Sequence, residues 1–310
     1  MQPFELWKNP SGLADALGRI LREVPACELV AVTMTGELCD CFESKRQGVL
    51  TILDAVVTAL GGRDLRVWRT DGRLVDMAAA QAAPLEVAAA NWLALATFAG
   101  RFAPAGAALV IDIGSTTTDI VPLLDGRPVP HGRTDPERLH CHELVYTGVR
   151  RTPLCALLGI GGAAELFATT LDAYLLLGHL PENAGDRGTA DGRPAIMAAA
   201  HARLARMLCA DVETCSLEEV RKLALRACQR QAFHIQTAVE SVAKRLPGPP
   251  RTVVLAGSGE FLARAVLSLM PTFAGAHVVS LSEQLGAQVS PAACAYALAV
   301  LAAESSHDGP

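Results

Sequence analysis

Residues 110–121 read VIDIGSTTTDIV: an apolar, β-branched run closes on an aspartate, turns through a glycine and four hydroxyl residues, and resumes as an apolar run. The pattern predicts a buried strand over 108–113 and a returning hairpin strand over 119–124. Asp112 at the end of such a strand puts a carboxylate where a hard ion such as magnesium can be held, directly or through water. Gly114 has no Cβ to keep a phosphate from the backbone. Ser115, Thr116, Thr117 and Thr118 then offer N–H and O–H donors in a concave turn. An ordinary hairpin with threonines at good β positions is the plain alternative, but four consecutive polar positions favour a bound phosphate.

The flanking chain reads as alternating helices and strands. Asn9-Pro10 opens a first helix, with Leu13, Ala16, Leu17, Ile20, Leu21 and Val24 on one stripe. A short strand over 29–34 ends in the polar turn Thr35-Gly36-Glu37. Ser44 with Gln47 forms a capping-box pattern ahead of a helix that Gly61-Gly62 stops. A strand at 66–68 follows, and a helix is expected from Pro84 through Phe98 to Gly100. A linker at 104–106 separates a first α/β domain, 1–104, from a second, 105–310. In the second, 153–246 reads as an almost wholly helical insertion, broken by the loop 181–194. Ser216 with Glu219 caps its longest helix. A strand at 252–256, the turn Gly257-Ser258-Gly259, a helix from Glu260, a strand at 277–281 and a last helix complete it. No sequence repeat is visible, yet the order of elements in the two halves is alike.

Composition narrows the function classes. With 51% apolar and 19% charged residues over 310 positions there is ample core, built from small aliphatic side chains because aromatics are only 5%. A net charge of −5 without a basic, aromatic-laced tract argues against a nucleic-acid partner. The nine cysteines include no C-x-x-C pair, so free and mostly buried thiols in a reducing cytoplasm are expected. The N-terminal QPFELWKNP has neither a basic n-region nor an apolar h-region, and no signal peptide is expected. The uncharged run 284–303 is interrupted by Gln288, Ser290 and Pro291 and reads as a buried helix that packs back on the first domain, not as a membrane span.

Other motifs carry weaker signals. Gly257-Ser258-Gly259 lacks the third glycine of a dinucleotide fingerprint, and reads better as a second phosphate contact at a helix N-terminus or as tight packing. Thr35, Glu37 and Asp40 set a hydroxyl and two acids at a strand end, in a substrate or base role or in a solvated loop. Asn91 is polar within an apolar helix and is a substrate-contact candidate. Arg150 and Arg151 suit an anionic substrate, with surface arginines as the bland reading. The spacings of His140-Cys141-His142-Glu143 and of Cys39-x-Cys41 fit no established metal site.

Several stretches together carry a resemblance: VIDIGSTTTDIVPL (110–123), TMTGELCDCF (33–42), AANWLALA (89–96), ELVYTGVRRTPL (143–154), TADGRP (189–194), RMLCADVETCS (206–216) and VVLAGSGEFLAR (253–264). The chain resembles the hydantoinase A/oxoprolinase branch of the actin/hexokinase/Hsp70-like (ASKHA) fold. Within it, it is similar to the proteins of the tetrahydromethanopterin-linked one-carbon pathway that resemble methanofuran-biosynthesis synthases. The resemblance implies two ribonuclease-H-like α/β domains facing across a cleft, with a helical insertion in the second. It also implies an extra strand and a D-x-G-G-x-N turn ahead of a segment like PFELWKNPSGLADAL. Here Met1 stands two residues before Pro3-Phe4, so the first domain is expected to lack that strand and turn, either because the true start lies upstream, the favoured reading, or because this is a shortened member.

The function implied is a transferase joining a furanylmethyl diphosphate to a tyramine-type phenol with release of diphosphate. Asp112 is then the magnesium ligand, and Glu37 or Asp40 takes the phenolic proton. Gly114, Ser115, Thr116, Thr117, Thr118 and Gly257, Ser258, Gly259 bind phosphate, and Thr35, Asn91, Arg150 and Arg151 contact substrate. A small phosphorylated molecule is the expected partner, with no nucleic acid and no membrane, and a homodimer is compatible. An ATP-dependent kinase or hydantoinase-like hydrolase, and a non-catalytic ligand sensor, are the competing readings.

Overall fold

The computed structural model describes residues 2, 4–25, 27–286 and 288–307. Asn9 accepts from the Gly12 N–H at 3.1 Å, and Pro10 opens a single 3-10 turn that runs into α1 (Leu13–Glu23). After β1 (Leu29–Val32), Ser44 caps α2 (Lys45–Leu60) by accepting from the Gln47 N–H, and Gly61 at φ +60° ends it in the left-handed region. β2 (Asp64–Trp68), β3 (Leu74–Val75) and α3 (Met77–Ala82) follow. The helix expected from Pro84 is not continuous. Pro84 opens only a 3-10 turn, Ala89 at φ +47° breaks the run, and α4 spans Asn91–Ala99.

β4 (Ala107–Ile113) and β5 (Thr118–Leu124) flank the phosphate-like turn, and Asp125-Gly126, both at positive φ, turns β5 into β6 (Arg127–Pro128). α5 (Asp135–His140) and β7 (Leu144–Val145) lead to four helices: α6 (Leu154–Leu158), α7 (Thr170–Leu176), α8 (Met197–Met207) and α9 (Leu217–Ala243). A full capping box between Ser216 and Glu219 starts α9. β8 (Thr252–Ala256), α10 (Glu260–Ser268), β9 (His277–Ser280), α11 (Leu281–Leu285) and α12 (Ala293–His307) close the chain.

The chain divides into two compact units: Met1–Gly106 with Leu123–Arg138 and Leu285–Pro310, and Ala107–Pro122 with Leu139–Gln284. The sequence suggests one boundary near residue 104 and a last helix that packs back on the first domain; the chain also enters the first unit over 123–138. In that unit β1 pairs parallel with β2, and β2 antiparallel with β3. Val49, Leu53, Val56 and Val67 fill its core against α1. α12 packs on α4, where Phe98 meets the Tyr296 ring edge-on at 5.5 Å. In the second unit β4, β8 and β9 run parallel, within a sheet of order β6-β5-β4-β8-β9 and with β7 on β5. Burial of both faces of this sheet explains why its strands read as unbroken apolar runs.

No helix among the described residues is long and apolar enough to cross a membrane. None of the cysteines is disulfide-bonded, but only Cys215 is buried, and Cys27 and Cys209 are exposed. The expectation of mostly buried thiols is corrected accordingly: most of these cysteines sit at helix ends and loops, where packing is one-sided.

The helical part of the second unit is pinned by Arg203, fully buried, which bonds Asp172 through Nε (2.8 Å) and Nη2 (2.7 Å) and Asp191 through Nη1 (3.0 Å). Removing one partner of such a pair leaves an uncompensated charge in the core. Asp172→Ala is expected to cost roughly 3–5 kcal/mol in urea unfolding, and Asp172→Ala with Arg203→Met considerably less.

Candidate functional site

The turn between β4 and β5 closes tightly, its Gly114 N–H donating to the Thr117 carbonyl at 2.9 Å. Its outer side is braced by 149–151. The Val149 N–H donates to the Gly114 carbonyl (3.0 Å), and the Arg150 and Arg151 N–H groups both donate to the Ser115 carbonyl (3.0 and 2.9 Å). The carbonyls of Gly114, Ser115 and Thr117 are thus occupied. The N–H groups of Ser115, Thr116 and Thr117 find no acceptor among the described residues. A turn with three of its four carbonyls bonded and three consecutive N–H groups unspent suits an anion. Ser115 and Thr116 add hydroxyls 3.3 Å apart. Thr118 differs: its hydroxyl is fully buried and donates to the Thr147 carbonyl at 2.8 Å, so its side chain braces the turn instead of facing a ligand.

The Gly257-Ser258-Gly259 turn lies against the same place. Gly257 sits at φ +82°, and a Cβ there would run into the Ile113 carbonyl and the Asp112 carboxylate. The Gly259 N–H donates to the Ile113 carbonyl at 2.8 Å, and Ser258 is exposed. These glycines are required by close approach to β4.

Asp112 is the one part-exposed residue of β4. Among the described residues nothing donates a hydrogen bond to its carboxylate. Desolvation pushes its pKa up to about 7, with the charges of Asp119 and Glu260 adding to the effect. Glu260 itself is held by Ser280 and Ser282. Asp119 and Glu260 were not singled out in the sequence, where one restarts a strand and the other begins a helix. Among the described residues no group of three or more His, Cys, Asp or Glu is placed to hold a metal. That is compatible with magnesium, which is commonly held by one or two carboxylates plus water and substrate phosphate.

In the first unit, Glu37 is 1% exposed and its Oε2 has no hydrogen-bond partner among the described residues. Lys45 Nζ lies 3.7 Å from Glu37 Oε1 and 2.8 Å from Asp135 Oδ2. Burial raises the Glu37 pKa; a backbone hydrogen bond and Lys45 oppose this, and the Asp135 charge adds to it. Gly48 is needed where α2 crosses here, since a Cβ would strike the Glu37 carbonyl. Lys45 was missed, although a cation in the first turn of a capped helix runs against the helix dipole and is a signal in itself. Of the other residues singled out, Thr35 and Asp40 are exposed, and the Asn91 amide donates weakly to the Cys294 sulfur at 3.9 Å. The Arg150 guanidinium bonds Asp186 at 2.5 Å, and Arg151 is exposed.

The Asp112 pKa sets a pH dependence. A carboxyl raised in the folded state contributes stability that is complete below its unfolded pKa and is lost as pH rises through about 7. In magnesium-free protein, Asp112→Asn is expected to stabilise by on the order of 2 kcal/mol at pH 8 and negligibly at pH 4, read by thermal unfolding.

Known proteins with this sequence pattern agree with one another. The (4-{4-[2-(gamma-L-glutamylamino)ethyl]phenoxymethyl}furan-2-yl)methanamine synthase of Methanocaldococcus jannaschii is 32% identical over 306 residues, covering 96% of this chain and 88% of its own. The enzyme of the same name from Methanococcus vannielii is 30% identical over 201 residues, covering 62% of this chain and 89% of its own. Among solved structures, a nucleotide-free acetone carboxylase matches with a TM-score of 0.53 at 15% identity, covering 82% of this chain; this chain spans only 37% of that one, and the likeness is of fold. The hydantoinase/oxoprolinase model matches residues 28–304, and the chain belongs to the hydantoinase/oxoprolinase family.

Proposed function

We propose that the protein is a transferase that forms an aryl ether, joining a furanylmethyl diphosphate to the phenol of a glutamylated tyramine and releasing diphosphate. The observation that carries this reading is the turn at 114–117: the carbonyls of Gly114, Ser115 and Thr117 are bonded, the N–H groups of 115–117 have no acceptor among the described residues, and the Asp112 carboxylate beside them has no hydrogen-bond donor among the described residues. The product named for the Methanocaldococcus jannaschii relative contains a phenoxymethyl-furan ether, the bond such a reaction makes. The finer fold reading, two ribonuclease-H-like halves of the ASKHA kind, goes with this proposal.

In this reading Ser115, Thr116 and Thr117 donate to the phosphoryl oxygens, and Gly257, Ser258 and Gly259 line the same anion. Asp112 is the protein ligand for magnesium; the metal, when bound, neutralises charge that grows on the departing diphosphate. The C–O bond of the furanylmethyl diphosphate breaks with its electron pair leaving on diphosphate. The phenol oxygen forms the new bond to that carbon and gives up its proton. Glu37 is the residue we assign to accept it: burial raises its pKa, which makes it a better proton acceptor than an ordinary carboxylate, and its Oε2 has no hydrogen-bond partner among the described residues, whereas Asp40 is exposed. The exposed guanidinium of Arg151, with no side-chain partner among the described residues, suits a glutamyl carboxylate.

Incubation with the furanylmethyl diphosphate, γ-glutamyltyramine and magnesium is expected to yield the ether and diphosphate without ATP. Glu37→Gln is expected to lower kcat by ~10²- to 10⁴-fold while diphosphate affinity is kept. Asp112→Asn is expected to lose both turnover and magnesium-dependent diphosphate binding. A product that forms only with ATP, or turnover unchanged in Asp112→Asn, contradicts the assignment.

A further inference from the structure

The buried stripe of α9 is Val220, Leu223, Ala224, Ala227, Gln231, Ile235, Ala238, Val239 and Val242. One amide interrupts an otherwise aliphatic face, and it is fully buried. Burying an amide costs free energy unless each polar atom is satisfied, and a leucine or methionine would continue the core without that cost. Here every group is satisfied. The Tyr174 hydroxyl donates to Gln231 Oε1 at 2.7 Å, and Gln231 Nε2 donates to Thr147 Oγ1 at 2.9 Å and to the Gly148 carbonyl at 2.8 Å.

Gly148 is where this network meets the phosphate turn. A Cβ on it would lie 2.5 Å from the Gly114 carbonyl and 2.5 Å from the Thr116 nitrogen, so its backbone is pressed onto the turn. The other side of Gly148 is held by the Thr170 hydroxyl on its carbonyl (2.8 Å) and by Thr152 Oγ1, which accepts from its N–H (2.9 Å). The three residues after it are those whose N–H groups cap the carbonyls of Gly114 and Ser115.

We propose that Gln231 is a positioning residue for anion binding: by fixing Thr147 and Gly148 it holds the 114–117 turn with its N–H groups converging on one diphosphate. The inference rests on the reading of that turn as the diphosphate site. A purely structural glutamine would change stability alone, whereas a positioning one changes affinity at temperatures where the protein is fully folded.

The test is titration calorimetry of magnesium with inorganic diphosphate into the full chain at 25 °C, beside thermal unfolding. Gln231→Met is expected to bind diphosphate about tenfold more weakly while remaining folded, because it keeps the volume and removes three hydrogen bonds. Leu223→Ala, on the same helix face but bonded to nothing in the brace, is expected to unfold at lower temperature and bind as wild type does. Tyr174→Phe, which removes only the hydroxyl, is expected to weaken binding about threefold and serves if Gln231→Met does not fold. Affinity within twofold of wild type in Gln231→Met, or in Tyr174→Phe where that variant serves, overturns the proposal. A wild type that binds no diphosphate overturns the diphosphate reading and this inference with it. A wild type that binds, with variants that bind equally well, overturns this inference alone.

Discussion

Crowded backbone needs a partner for each N–H and carbonyl, and the turn after β4 settles only half of that account. Its Gly114 and Ser115 carbonyls are bonded by Val149, Arg150 and Arg151, while the N–H groups of Ser115, Thr116 and Thr117 have no acceptor among the described residues. The rest of the second unit is arranged around keeping that imbalance in place. Gly148 is pressed against the turn from one side, Gly257 and Gly259 crowd β4 from another, and Gln231 fixes Gly148 from beneath. In this view the parallel strands β4 and β8 serve to bring the two glycine-bearing turns together at their carboxyl ends, where open α/β sheets place ligands.

The electrostatics follow the same logic. The charges of Asp119 and Glu260 act on Asp112 beside a turn that presents positive dipoles. Without a ligand the arrangement is costly for Asp112, whose carboxyl is driven up to about 7 by desolvation and by like charge. In the proposed reaction a divalent cation with its diphosphate would relieve both the excess negative charge and the unspent N–H groups. Stability given up at the unliganded site is the ordinary consequence of preorganisation.

Much of this was legible from residue order. The strand-turn-strand at 110–121, the caps at Asn9, Ser44 and Ser216, and the glycines at 257 and 259 are local signals, and local signals survive folding. What escaped depends on contacts between distant positions. Lys45 and Asp135 lie 90 residues apart in the chain and meet only because β5 and β6 return the chain to the first unit. Gln231 reads as a polar residue on a long helix until Thr147, 84 positions earlier, is found beneath it. The helix expected from Pro84 failed for a backbone reason, the positive φ at Ala89, which alanine does not advertise. Thr118 looked like one more donor of the turn, but the alternation of the strand turns its hydroxyl inward.

In the proposed reaction diphosphate leaves from a furanylmethyl carbon while a phenol oxygen takes its place. Its most direct test is mass spectrometry of the product made from γ-glutamyltyramine carrying ¹⁸O in the phenol. Attack by the phenol oxygen retains the label in the ether and releases one unlabelled diphosphate per ether without ATP. Label lost from the ether, or product formed only when ATP is consumed, would contradict it.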